Sequence, residues 1–182
     1  MRKLLFMLTL VSIMLLLSPF QCFAWHTIRD SIHSFSVSLP CNEPPIINST
    51  LIKGKTLTVY NCWDNTDNSD VLHYIHIASN TDKRPIRYRQ EDTSIALEND
   101  VIGFLLPFGG NRQNISFSKE AHFHGYPSIN YHCSSLRNAK GSTGVSALIK
   151  GRHIRIGSVY DTSLEGQAKR TLDRILNSFS VK

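Results

Sequence analysis

Val71-Leu72-His73-Tyr74-Ile75-His76-Ile77-Ala78 alternates from side to side, with Val71, His73, Ile75 and Ile77 opposing Leu72, Tyr74, His76 and Ala78. A period of two is that of an extended strand, and apolar residues in both sets place it inside a sheet rather than at an edge. Upstream, Ser34 to Leu39 alternates in the same way and stops at Pro40, while Ile46 to Ile52 and Thr56 to Trp63 read as two strands turned by Lys53-Gly54-Lys55. Downstream, Thr81 to Arg89 is a basic connection, and Ser94 to Leu106 changes to helical spacing. Its expected buried stripe is Ile95, Val101, Ile102, Leu105 and Leu106, ended by Pro107 and Gly109-Gly110.

Four further strands are expected at Ile115 to Lys119, Ser128 to Ser134, Val145 to Lys150 and His153 to Tyr160, the last two joined by a tight turn at Gly151-Arg152. Thr162-Ser163-Leu164-Glu165 has the spacing of a capping box. The helix behind it repeats Leu164, Ala168, Leu172, Ile175, Leu176 and Phe179 at steps of three and four. The order of elements predicts an α+β fold, a largely antiparallel sheet with helices packed on it.

The N-terminus has a different character. Arg2 and Lys3 precede an apolar run from Leu4 to Leu17, Pro19 breaks it, and Cys22 and Ala24 supply small residues at the positions a signal peptidase reads. Residues 1–24 are therefore expected to be a signal peptide, and residues 25–182 a single exported domain, secreted or periplasmic, with no transmembrane span after cleavage. The formal charge of +6 over 182 residues falls to +4 once Arg2 and Lys3 are removed. That mild excess favours anionic partners, an unknown protein or an envelope component; nucleic acid is disfavoured by the compartment.

Removal of Cys22 leaves Cys41, Cys62 and Cys133. The second strand of the Lys53-Gly54-Lys55 hairpin returns Cys62 to the start of the first, close to Cys41, so a Cys41–Cys62 bridge with Cys133 free is expected. Closing that loop is worth about 3 kcal/mol on the chain-entropy account.

Phe35-Ser36-Val37-Ser38-Leu39-Pro40, Gly125-Tyr126-Pro127 ahead of the Tyr131 strand, the Lys150-Gly151-Arg152 hairpin and the closing Leu172 to Phe179 helix resemble the PsbP-like superfamily. The resemblance implies an α/β/α sandwich, in members that mostly act as accessory or binding proteins, among them a photosystem oxygen-evolving subunit and a Ran-binding import factor. The matched motifs are structural, so no site residue is carried over from either.

The chain holds no G-x-S-x-G, no P-loop, no H-E-x-x-H and no C-x-x-C, and no cofactor is implied. His132 and Cys133 are neighbours on a strand and face opposite ways. The leading expectation is thus an exported, non-catalytic binding or accessory protein. Its candidate contact residues are the basic hairpin tips Lys53, Lys55, Lys150 and Arg152. The alternatives are a secreted enzyme whose dispersed site uses Cys133 and the His122/His124 pair, and a metal-dependent structural module. For the latter, Asp64-Asn65-Thr66-Asp67-Asn68-Ser69-Asp70 concentrates hard oxygen ligands but lacks the glycine and closing glutamate of an EF-hand.

Overall fold

The computed structural model describes residues 25–41, 43–52, 54–64, 71–82 and 84–182. The expected signal peptide, the Lys53 tip and all of the polar loop beyond Asp64 lie outside the described residues.

Ten strands and two helices are described. The strands are β1 (Trp25–Asp30), β2 (Phe35–Pro40), β3 (Ile46–Ile52), β4 (Lys55–Asp64), β5 (Val71–Asn80), β6 (Ile115–Phe123), β7 (Tyr126–Cys133), β8 (Lys140–Ile149), β9 (Arg152–Asp161) and β10 (Ser180–Val181). The helices are α1 (Gln90–Leu105) and α2 (Glu165–Ser178). Seven strands form one sheet in the order β3-β4-β5-β9-β8-β7-β6, and β1-β2-β10 form a second, small one. All described pairings are antiparallel. β5 sits inside the large sheet, as its two apolar sets require.

Pleating divides the large sheet into two chemically distinct faces. Tyr60, Cys62, Ile75, Ile77, Val145, Ala147, Ile154 and Ile156 point to one face, where Leu172 and Ile175 of α2 and Phe35, Val37 and Leu39 of β2 close over them. This is the main core. On the other face Leu97, Val101 and Leu105 of α1 cover only the far part of the sheet, packing on Ile115, Ile129, Tyr131 and Cys133 of β6 and β7. Among the described residues no helix lies over β4 on that side, and α1 reaches β5 through Phe104. The result is a helix layer, a sheet layer, and a mixed layer of helix and small sheet.

Several local expectations are corrected. α1 starts at Gln90, and its buried row is Leu97, Val101 and Leu105 with Thr93, whereas Ile95 and Leu106 are exposed. The i+4 row that lies above β7 fixes the phase of the helix, and period alone does not choose between two apolar rows. Gly141 to Gly144, whose two glycines suggest a loop, is buried strand in β8. A Cβ on Gly144 would come within 2.4 Å of the Tyr131 hydroxyl oxygen and 2.5 Å of the Ile156 carbonyl oxygen, so glycine there makes room for a tyrosine.

The β8–β9 turn is Lys150-Gly151, one residue earlier than read, with φ of 48° and 71°. Two positive φ values define the mirror-type turn that suits the twist of a two-residue hairpin. Thr162 begins a 3₁₀ turn with no side-chain cap at the helix start, and Glu165 instead accepts a hydrogen bond from Lys169 at 2.5 Å. β1, directly after the expected cleavage point, has no clear apolar period and is found only through its pairing with β2.

Candidate functional site

Where α1 stops short of covering β4 and β5, a cleft of about 680 Å³ opens. Its floor is the outward set of the strands, including Val59, Trp63, Leu72, Tyr74, His76 and Val159. Its walls are Phe104, Pro107 and Phe108 at the end of α1 and the 136–140 connection between β7 and β8. Trp63 is 46% exposed and Phe108 49%, so the cleft presents large aromatic surface to solvent.

The aromatic groups form a connected set. Ring centroids lie 5.0 Å apart for Tyr74 and Phe104, 4.7 Å for His76 and Phe104, and 5.9 Å for Phe104 and Phe108. Such edge and tilted pairs fix ring orientation beyond what area burial supplies. The Arg155 guanidinium stacks over Phe104 at 4.4 Å from behind. The same guanidinium is bound to Asp100 of α1 at 2.5 Å, and His153 lies 3.7 Å from that carboxylate. An ion pair with Arg155 buried and Asp100 partly buried thus anchors the helix to the sheet next to the cleft.

These charges set the local titration. Burial pushes the Asp100 carboxyl up, but His153 and Arg155 together outweigh it and hold the group well below the usual carboxylate range. Burial, reinforced by the Arg155 charge, depresses His76 to about 3, so its ring is neutral at physiological pH. Among the described residues, the charged groups lining the cleft are Arg137 and Lys140, and none is acidic. Lys140 is paired with Asp161 at 2.9 Å. A space of this size with apolar walls and a cationic end suits a drug-sized amphipathic anion.

The residues singled out in the sequence fall elsewhere. Lys55 is exposed at the β3–β4 turn, and the β8–β9 turn lies at the same end of the sheet, since Lys55 pairs with Asn80 and Ala78 with His153. Lys150 and Arg152 line a second, polar cleft of about 520 Å³ there. Arg152 is not a free tip: its guanidinium donates to the His33 carbonyl at 3.0 Å, and Lys150 donates to the backbone carbonyl of Lys182.

Cys41 and Cys62 stand at disulfide distance, with Cα atoms 5.3 Å apart, and Cys133 is free and buried. Burial pushes the Cys133 thiol up, away from the reactive thiolate. Cys133 pairs with Ile115 at the open end of the β6–β7 ladder, while His124 lies in the turn at the other end, about 25 Å away at strand rise. The structure does not bring Cys133 and the His122/His124 pair together. Among the described residues no three His, Cys, Asp or Glu side chains converge on a metal position.

The cleft was not legible in the sequence, because Trp63, Tyr74, the Phe104/Phe108 pair and Arg137 come from four separate stretches. The one available signal was the apolar second face of Val71 to Ala78, which demanded a cover that the helix supplies only in part.

No model of a protein family matches the chain, and no curated protein matches it in sequence. Among solved structures, the chain is similar to the solution structure of cyanobacterial PsbP (CyanoP) from Synechocystis sp. PCC 6803. The likeness has a TM-score of 0.50 at 14% identity and covers 91% of this chain and 96% of that one. What the chain shares with that protein is its fold, the PsbP-like arrangement of an antiparallel sheet between helical layers.

Proposed function

We propose that this chain is an exported accessory protein that works by binding, and that the aromatic cleft over β4 and β5 takes an apolar ligand with an anionic end. The observation that carries the reading is the uncovered half of the sheet: Trp63, Phe104 and Phe108 line a cavity of about 680 Å³ whose lining charges, among the described residues, are both cations. Large aromatics left in solvent at the mouth of a formed cavity are the usual mark of a ligand site. Binding rather than turnover is supported by the buried, raised thiol of Cys133 and its separation from His122 and His124. Export rests on the first 24 residues and on the cysteine pair at disulfide distance.

Two probes of similar shape test it. Exported protein, whose N-terminal sequence should begin at Trp25, is titrated with anilinonaphthalene sulfonate, an aromatic anion, and with the neutral N-phenylnaphthylamine. Trp63→Ala should weaken both by about tenfold or more, as loss of an aromatic anchor does. Arg137→Glu should weaken only the anion. Unchanged binding of both probes by Trp63→Ala defeats the reading.

A further inference from the structure

The two edges of the large sheet are built differently. At the β6 edge the pairing register shifts between Ser118 and Ala121, and the sequence there contains Lys119-Glu120. A bulge and charges are the ordinary means of stopping an edge from recruiting another strand. At the β3 edge neither device is present. Ile46-Ile47-Asn48-Ser49-Thr50-Leu51-Ile52 has no charge, no proline and no break in its pairing with β4, and every residue in it is exposed. Ile46, Ile47, Leu51 and Ile52 are 57%, 60%, 66% and 48% exposed.

We infer that β3 pairs antiparallel with β3 of a second copy of this chain, joining two seven-stranded sheets across a twofold axis at Ser49. The pattern of the strand selects a second copy, and the phase of its backbone fixes the register.

About Ser49 the strand is self-complementary, so that Ile46 faces Ile52 of the second copy, Ile47 faces Leu51, and Asn48 faces Thr50. Like meets like on each face, and no charge is brought near another of the same sign.

Ile52 pairs with Lys55 across the two-residue turn, and the Thr81 N–H bonds to the Gly54 carbonyl at 3.1 Å on the other side of β4. Residues 46, 48, 50 and 52 therefore turn their N–H and C=O groups toward β4, and Ile47, Ser49 and Leu51 turn theirs outward. The register centred on Ser49 matches Ile47 with Leu51 and Ser49 with itself, all outward-turned, so every outward group finds a partner. A shift of one residue would match outward groups with inward ones.

The test uses the exported chain as purified. Wild type should show twice the chain mass by light scattering at high concentration and dissociate on dilution. Ile47→Lys with Leu51→Lys, which sets lysine against lysine across the axis, should be a monomer with an unchanged melting temperature. Ser49→Cys should cross-link spontaneously, because directly opposed residues of a hydrogen-bonded pair have Cα atoms about 5.5 Å apart. Ile46→Cys should not, being six residues from its own copy. A monomeric wild type overturns the inference, and so does dimer retained by the double lysine variant or cross-linking that does not distinguish Ser49 from Ile46. A monomer whose Ile47, Ser49 and Leu51 amides resist hydrogen exchange would place another segment of the same chain on the edge, and overturns it equally.

Discussion

Two hairpins of this sheet carry the same pair of residues between their strands, Lys-Gly at 53–54 and at 150–151 in the sequence, and point to the same end of the molecule, yet their surroundings are opposite. β8 and β9 are buried at almost every position, between α1 on one face and α2 on the other. β3 is exposed at every position. Local sequence makes a hairpin in both cases, and place in the strand order decides whether it carries stability or contact. Side chains of the inner hairpin are chosen for fit, down to glycines beneath tyrosine rings. Those of the outer one are free to meet something else.

Five substitutions probe how deep that division runs. The largest effect is expected at Arg155 in β9. Arg155→Leu leaves Asp100 without the cation bound to it, which should cost about 4 kcal/mol in denaturant unfolding at neutral pH. The sign of its pH dependence follows from the carboxyl. In the wild type Asp100 is held below its unfolded value, so its stabilisation is fully present above about 3.9 and is lost as pH falls below that. Without Arg155, burial raises the group and protonation relieves the variant. The gap between the two proteins should therefore narrow as pH falls from neutrality toward 4, and a constant gap would show that the pair is not the anchor.

Next comes Gly144→Ala in β8, expected to cost about 3 kcal/mol, because the new methyl meets a carbonyl oxygen as well as a hydroxyl and the backbone must shift. Thr50→Val on β3 should stay within about 0.5 kcal/mol in the same assay. Comparable losses at the two positions would erase the distinction between the hairpins. An effect as small is expected at the turns: Lys55→Glu and Lys150→Glu should each change the unfolding free energy by no more than about 0.5 kcal/mol. If binding of an anionic partner falls while stability holds, the basic end of the sheet is a second contact surface. If neither changes, it is solvated charge.

Much of the fold was legible because period reports packing directly. The double apolar face of Val71 to Ala78 announced an interior strand, and Ala168, Leu172 and Ile175 announced the buried face of α2. What failed shares one cause. Gly141 to Gly144 looks like a loop until Tyr131 and Tyr160 are placed above it, and Ile95 looks like core until the sheet selects the Leu97 row. In both cases a residue's role is set by a neighbour far away in the chain. The cleft is an extreme of the same kind, since it exists only where one helix ends before the sheet does.

The hydroxyls of Tyr74 and Tyr131 meet in the buried middle of the sheet, directly over Gly144 and Gly157. A methyl group on Gly144 would meet the Tyr131 hydroxyl and the Ile156 carbonyl oxygen, and one on Gly157 would meet both hydroxyls and the Thr143 carbonyl oxygen. The tyrosines therefore depend on the glycines, while the glycines are held by the neighbouring backbone as well. In any lineage of this fold the hydroxyls should be lost before the glycines are, and a chain that carries alanine at either glycine place should reveal a different strand register.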